Sequence, residues 1–315
     1  MCTAVWFQNR YFGRNLDYDR SFGEQVVITP RNFIFPRGNA TGHLYGMIGM
    51  AHVAGGYPLY YDAMNEKGLA MAGLLFDGNA VYHSPVKGKE NIPSWALIPR
   101  VLGRCSSGEE ALLLLQRVCI TSEPFGENLP PSPLHWMIAD RERALVVEST
   151  KEGIQIYENP AGVLTNNPPF PFHRENLRQY LNLTAEEPLN RFSKALELRA
   201  FSRGMGAMGL PGDVSSPSRF VRAAFLKSNA LPGETEGGNI SQFFHILGGV
   251  EQIEGCVRLE DGRMEKTIYS SCCDLEEGRY FYRTYEELTL QSRSFDEIDL
   301  NGSELSAKPL KQKSV

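Results

Sequence analysis

Apolar and polar positions alternate in short runs through the first hundred residues, and that period of two predicts strands. CTAVWF, a turn at Gln8–Arg10 and then YFG read as a hairpin. EQVVITP and HLYGMIGM are further strands, and MNEKG supplies a turn before LAMAGLLF. The period then lengthens. PSWALIPRVLG is spaced as a helix punctuated by Gly103, and SSGEEALLLLQRV restarts one, with Ser106 or Ser107 as N-cap and Glu109 and Glu110 in its first turn. HWMIAD, ALVVEST, GIQIYEN and GVLTN return to alternation and predict an antiparallel meander. Helical spacing recurs in FHRENLRQYLNL, RFSKALELRAF, SPSRFVRAAFLKSN and ISQFFHILGGV, before TIYSSCCD and RYFYRTYE close with strands.

Strands and helices therefore come in separate runs, not one by one as in βαβ units. That pattern predicts an α+β chain of antiparallel sheets with segregated helices. No repeat or linker divides residues 1–315, so one domain is expected, with a polar tail from about 302 to 315 that is peripheral or frayed.

Composition narrows the function. A 42% hydrophobic and 22% charged chain has the apolar content for a sizeable soluble core. A net charge of −5 with no basic stripe argues against nucleic acid as a partner. The longest apolar run, ALLLLQRVCI, is too short for a membrane helix and is interrupted by Gln116 and Arg117. The N-terminus carries Arg10, Arg14, Asp17, Asp19 and Arg20 where a signal peptide needs an apolar core, so a cytoplasmic location with reduced thiols is expected. Six cysteines without a CxxC pair and six histidines without HExxH or HxH spacing indicate no metal. No glycine-rich phosphate loop is present, and no cofactor is expected.

Four features carry candidate chemistry. Cys2 becomes N-terminal if Met1 is removed, and a free α-amine with a pKa near ~8 can take the thiol proton, so the residue brings its own base. Alternatively it is a small buried residue starting a strand. Arg14 and Asp17 of GRNLD return from the hairpin beside Cys2, where a guanidinium favours thiolate and a carboxylate holds the amine; an ordinary surface ion pair is the other reading. In SSPSRFVRAAFL, Ser215 or Ser216 caps a helix with Pro217 in its first turn. Arg219 then sits at the positive helix end, a placement explained by an anionic partner such as Asp17 or substrate, or by simple snorkelling. Asn166 in GVLTNNPPF is a turn residue or an oxyanion donor.

Taken in order, MCTA, FGRNLD, MNEKGLAMAGL, PLHWMIAD, VVEST, GVLTNNP, SSPSRFVRAAFL and YSSCCDLEEGRYFYRTYE resemble the choloylglycine hydrolase family, the bile salt hydrolases and penicillin V acylases among the N-terminal nucleophile hydrolases. The resemblance covers nearly the whole chain. It implies an αββα sandwich, two antiparallel sheets between helical layers, and a homotetramer from a gut bacterium. It implies Cys2 as nucleophile with Arg14, Asp17, Asn166 and Arg219 as its polar network, and Leu75 as a backbone oxyanion donor. Leu75 stands where many bile salt hydrolases have Asn and penicillin V acylases often have Tyr. The implied substrate is a small molecule, a conjugated bile acid, held by Leu16, Tyr61, Phe125 and Leu129; Arg203 implies a lean toward glycine conjugates. A penicillin V or N-acyl homoserine lactone acylase, or a silent bile-acid-binding relative, is the alternative.

Overall fold

The computed structural model of the chain describes residues 1–37 and 44–310. The expected hairpin opens it as β1 (Cys2–Phe7) and β2 (Tyr11–Tyr18), its turn holding Gln8 and Asn9 at φ of 53° and 55°. A meander follows through β3 (Gln25–Thr29), β4 (Met47–Ala54), β5 (Tyr57–Asn65) and β6 (Ala70–Leu75). β7 (Glu90–Pro93) pairs in parallel with β8 (Val118–Thr121) around α1 (Leu97–Arg104) and α2 (Gly108–Leu115). β9 (Leu134–Ala139), β10 (Ala144–Thr150) and β11 (Gly153–Glu158) precede the short β12 (Val163–Leu164). Next come α3 (Phe170–Asn176), α4 (Ser216–Asn229) and α5 (Glu236–Gly248). The chain ends with β13 (Val257–Arg258), β14 (Met264–Asp274), β15 (Arg279–Thr284), β16 (Gln291–Ser294) and β17 (Ser306–Pro309).

One antiparallel sheet runs β12-β1-β2-β14-β15-β16, with β13 beside β14; the other runs β11-β10-β9-β6-β5-β4-β3-β17. α4 and α5 pack on the first sheet and α1 on the second, which makes the expected αββα sandwich. β6, β9 and β10 read as nearly unbroken apolar runs because both of their faces are covered. Ala72, Leu74 and Met137 join the core between the sheets, while Met71, Trp136 and Ile138 join the core under α1. At Gly13 a Cβ would meet the Ser271 carbonyl oxygen of β14 at 1.9 Å, so only glycine admits β14 this close beside Arg14.

Several expectations need correcting. GRNLD is not a polar cluster after a hairpin; Gly13 to Asp17 lie inside β2, all buried. β5 and β8 are strands that the pattern does not mark: β5 follows Gly55–Gly56 and contains Pro58, and the helix expected over SSGEEALLLLQRV stops at Leu115, leaving Val118 to open β8. Gly103 lies within α1, which ends at Cys105, and the second helix is capped by Ser107, whose side chain accepts from the Glu110 N–H. β12 leaves the meander and pairs with β1 in the other sheet. RFSKALELRAF forms no helix, because Phe192, Leu196, Leu198 and Phe201 are exposed and its helical spacing finds no surface to pack on. The tail is ordered as far as β17, which extends the second sheet through β3; residues 311–315 of it, and His43 of the expected strand at HLYGMIGM, lie outside the described residues. Among the described residues no helix is long and apolar enough to cross a membrane, and no group of three His, Cys, Asp or Glu is placed to hold a metal.

Candidate active site

Cys2 starts β1, which lies between the edge strand β12 and β2 in the first sheet, and is 3% exposed. Register places Cys2 opposite Leu16 and Ala4 opposite Arg14, so these four share the face toward the second sheet. Thr3, Asn15 and Asp17 share the opposite face, toward α4 and α5. Arg14 and Asp17 therefore flank Cys2 from different sides of the sheet.

Arg14 crosses to the second sheet where β5 and β6 part. Their pairing ends at Asp62 and Ala72, and just beyond it Arg14 Nη1 donates to the Tyr61 carbonyl at 3.2 Å and to the Gly73 carbonyl. Nη2 is buried with no hydrogen-bond partner. Burial works against the Arg14 charge, but Cys2, Tyr269, Asp62 and Asp17 more than offset it and hold its pKa above the ordinary value. Asp62 is itself buried and accepts from the hydroxyls of Tyr269, Ser271 and Tyr280.

On the other face, Asp17 Oδ1 accepts from Thr267 Oγ1 at 2.6 Å, and Oδ2 lies 3.9 Å from Arg219 Nη1. Burial pushes this carboxyl up, opposed by Arg219 and the N-terminal ammonium. Met1 continues β1: its carbonyl accepts from the Asp17 N–H at 2.8 Å, and its ammonium donates to the Asp17 carbonyl at 2.5 Å and to both Glu265 oxygens at 3.2 Å.

Asn166 follows β12 and is oriented by its neighbours. Its Oδ1 accepts from the Cys2 N–H at 2.8 Å and from Arg219 Nη2 at 2.7 Å. Neither donor can accept, so the amide oxygen must face them and the NH2 must face away. That NH2 donates to the Leu75 carbonyl at 2.7 Å, which leaves its second proton unused there. Arg219 also donates to the Cys2 carbonyl at 2.6 Å and to Thr3 Oγ1 at 2.6 Å. The N-cap of α4 is Ser215, but its side chain makes no cap bond; Ser216 Oγ instead accepts from the Asn166 N–H at 2.9 Å.

Leu75 ends β6. Phe76 gives its N–H to Pro133 on the β9 side, so the Leu75 peptide groups face the opposite edge, where Gly73 meets Arg14 and Leu75 meets Asn166. The two expected oxyanion donors thus come from different sheets.

Behind Asn166, His173 Nε2 donates to the Asn166 carbonyl at 2.9 Å, and its ring stacks on Phe220. Burial lowers its pKa to about 4. A base whose folded pKa is depressed contributes stability above its unfolded pKa of about 6.5 and loses it as pH falls toward 4. Urea unfolding should therefore show roughly 3 kcal/mol less stability at pH 4 than at pH 7 from this group, and His173→Gln should flatten that slope.

Cys2 and Arg14 open into a cavity of about 260 Å³. Leu16, Tyr61, Phe125 and Leu129 line it as expected, and Tyr18, Phe22, His52 and Trp95, which the sequence did not single out, line it too. Arg203 does not; it is exposed on the irregular segment after α3. A larger hollow of about 510 Å³, among Arg37, Trp95 and Arg100, is lined by none of the five polar candidates, whereas Cys2 and Arg14 line the smaller one. Of the other thiols, burial pushes Cys105 up to about 12 and Cys272 and Cys273 well above the usual range, leaving them inert. His173, Ser216, Thr267 and Glu265 were missed, since only the packing of distant segments brings them to the site.

Residues 2–308 match the family described as linear amide C–N hydrolases, choloylglycine hydrolase family. A bile salt hydrolase/transferase of Lactiplantibacillus plantarum is 49% identical over 318 residues, covering 100% of this chain and 98% of that protein. One from Clostridium perfringens is 36% identical, covering 97% of this chain and 95% of its own. The crystal structure of the C2A mutant of conjugated bile acid hydrolase from Clostridium perfringens superposes with a TM-score of 0.92 at 35% identity, covering 99% of this chain and 97% of that one. Penicillin V acylase from Agrobacterium tumefaciens shares the fold, with a TM-score of 0.76 at 19% identity over 98% and 90% of the two chains. With that extent of likeness along its whole length, the chain belongs to the choloylglycine hydrolase family of linear amide C–N hydrolases.

Proposed function

We propose that the chain cleaves the amide bond of glycine- or taurine-conjugated bile acids, with Cys2 as nucleophile and a thioester intermediate. The observation that carries this is the meeting of Cys2, Arg14 and Leu75 at one end of a cavity walled by Leu16, Tyr61, Phe125 and Leu129. An amphipathic acyl group fits such a site, with its amide at the polar end and its hydrocarbon along the apolar wall.

Removal of Met1 frees the Cys2 α-amine, whose nitrogen already faces Asn166 Oδ1. The neutral amine takes the thiol proton, and the sulfur, beside the unpaired Arg14 Nη2, attacks the amide carbonyl. Charge developing on the carbonyl oxygen is met by the Leu75 N–H and the second N–H of Asn166. The α-ammonium protonates the leaving amine as the C–N bond breaks, leaving a thioester. Water, deprotonated by the same amine, releases the bile acid and restores the thiol. An amine attacking in place of water rebuilds an amide, which accounts for the paired hydrolase/transferase activity named for the relatives.

Leu75 favours a second reading, a penicillin V or N-acyl homoserine lactone acylase. Its apolar side chain offers no polar contact to the conjugated end, whereas its backbone serves either substrate. Parallel assays of glycocholate, taurocholate and penicillin V with the mature chain separate the two. Predominant penicillin V turnover overturns the bile salt reading, and no turnover of any favours a binding relative. Arg203, outside the cavity wall, gives the lean toward glycine conjugates no added support, and the same assay measures it.

The unit of function in this reading is the whole chain, residues 1–315 less Met1, as one domain with a peripheral tail from about 302, assembled as a homotetramer in the cytoplasm. Support for assembly comes from the exposed Leu181, Leu189, Phe192, Phe201 and Met208, a concentration of apolar side chains unusual for a monomer surface. Light scattering after size exclusion should give a tetramer, and Phe192→Asp with Phe201→Asp should give smaller species.

A further inference from the structure

Two buried ionisable side chains have no part in the chemistry above. His135 and Glu148 are wholly buried, one step beyond the last paired residues of β9 and β10 (Trp136 opposite Val147), and share the face of Met137 and Val146 toward the gap between the sheets. His135 Nδ1 lies 3.3 Å from Glu148 Oε1, and Nε2 lies 2.8 Å from the Thr165 carbonyl oxygen. The carbonyl can only accept. Glu148 Oε1 also accepts the Phe170 N–H at 2.8 Å. Nε2 is therefore the donor toward Thr165, and Nδ1 is held against the Glu148 carboxyl group.

What matters about this pair is its position. His135 is cross-strand from Leu74, and its ring lies on Phe76 at 4.3 Å with the planes 5° apart. It thus grips the residues on either side of Leu75. Through Nε2 it holds Thr165, the residue before Asn166. Leu75 belongs to the second sheet and Asn166 follows a strand of the first, so one ring ties together the two elements that carry the oxyanion donors.

We propose that the His135–Glu148 pair sets the separation between the Leu75 N–H and the Asn166 amide, and so tunes the oxyanion site from behind. This rests on the hydrolase reading above. His135 does not itself line the cavity, although its neighbours Leu134 and Trp136 do, and it is a positioning residue.

The test replaces both partners, His135→Phe with Glu148→Gln, so that neither group is left facing an altered partner alone. The phenyl ring keeps the stack on Phe76 and loses the bond to Thr165. A Cys256→Ser background removes the exposed competing thiol. On glycocholate kcat should fall about 30-fold or more with KM within about threefold, because an oxyanion contact matures only in the transition state. Cys2 alkylation by iodoacetamide should keep its rate, since Arg14 and Asp17 are untouched. Glu148→Gln alone should lower kcat about tenfold by the same route and serves if the double variant does not fold. An unchanged kcat with only a lower melting temperature overturns the proposal, as does a parallel loss of alkylation. If the parent chain spares glycocholate, the substrate reading fails by itself, and the comparison is made on penicillin V, which needs the same oxyanion site.

Discussion

Cys2→Ala is expected to eliminate amide hydrolysis, lowering kcat/KM by at least about 10⁴-fold, while the chain stays folded. Every hydrogen bond of Cys2 recorded in the structure is made by its backbone: the N–H to Asn166 and the carbonyl to Arg219. Alanine keeps both and removes one sulfur atom from the cavity wall, a loss of about 1 kcal/mol of packing. Cys2→Ser should be nearly as inactive, since the α-amine deprotonates a hydroxyl far less readily than a thiol. Amino-acid release from glycocholate, together with a thermal melt, checks both. Activity above about 1% of the parent would remove Cys2 from the role of nucleophile.

Asn166→Ala should lower kcat by about 10²- to 10³-fold, the loss of roughly 3 kcal/mol typical for one oxyanion donor. It should also lower stability, because Arg219 Nη2 and the Cys2 N–H lose their shared acceptor in a buried site. Asn166→Asp separates the two effects. A carboxylate still accepts from both donors, so part of the stability should return even though its other oxygen meets the Leu75 carbonyl, but it presents negative charge to the developing oxyanion, so kcat should stay at least as low. An aspartate variant with near-parent kcat would show that Asn166 acts only as an acceptor for the N-terminus.

The fold was legible where packing and period agree. The β1–β2 hairpin, the strands β9 to β11 and α4 lie where the pattern placed them, although β1, β2, β9 and β10 are buried on both faces and not on one. RFSKALELRAF shows the limit: helical spacing without a partner surface leaves its apolar residues exposed and the segment irregular. β17 shows another, since a polar tail pairs through backbone groups that side-chain pattern does not report. At the site, Cys2 could be suspected from its position alone. Arg14 and Asp17 looked like an ion pair, and only the register showed that alternation sends them to opposite faces of β2. His135 and Glu148 sat in quoted motifs without a role, because what joins them to Leu75 and Asn166 is the approach of two sheets.

The central claim is that a Cys2 freed of Met1 carries the acyl group. Acid-quenching the enzyme during glycocholate turnover and mapping it by mass spectrometry tests this directly. The account predicts an N-terminal peptide that begins at Cys2 and carries the bile acyl group as a thioester. Sustained turnover by a chain that retains Met1 and shows no acyl group on Cys2 would contradict it.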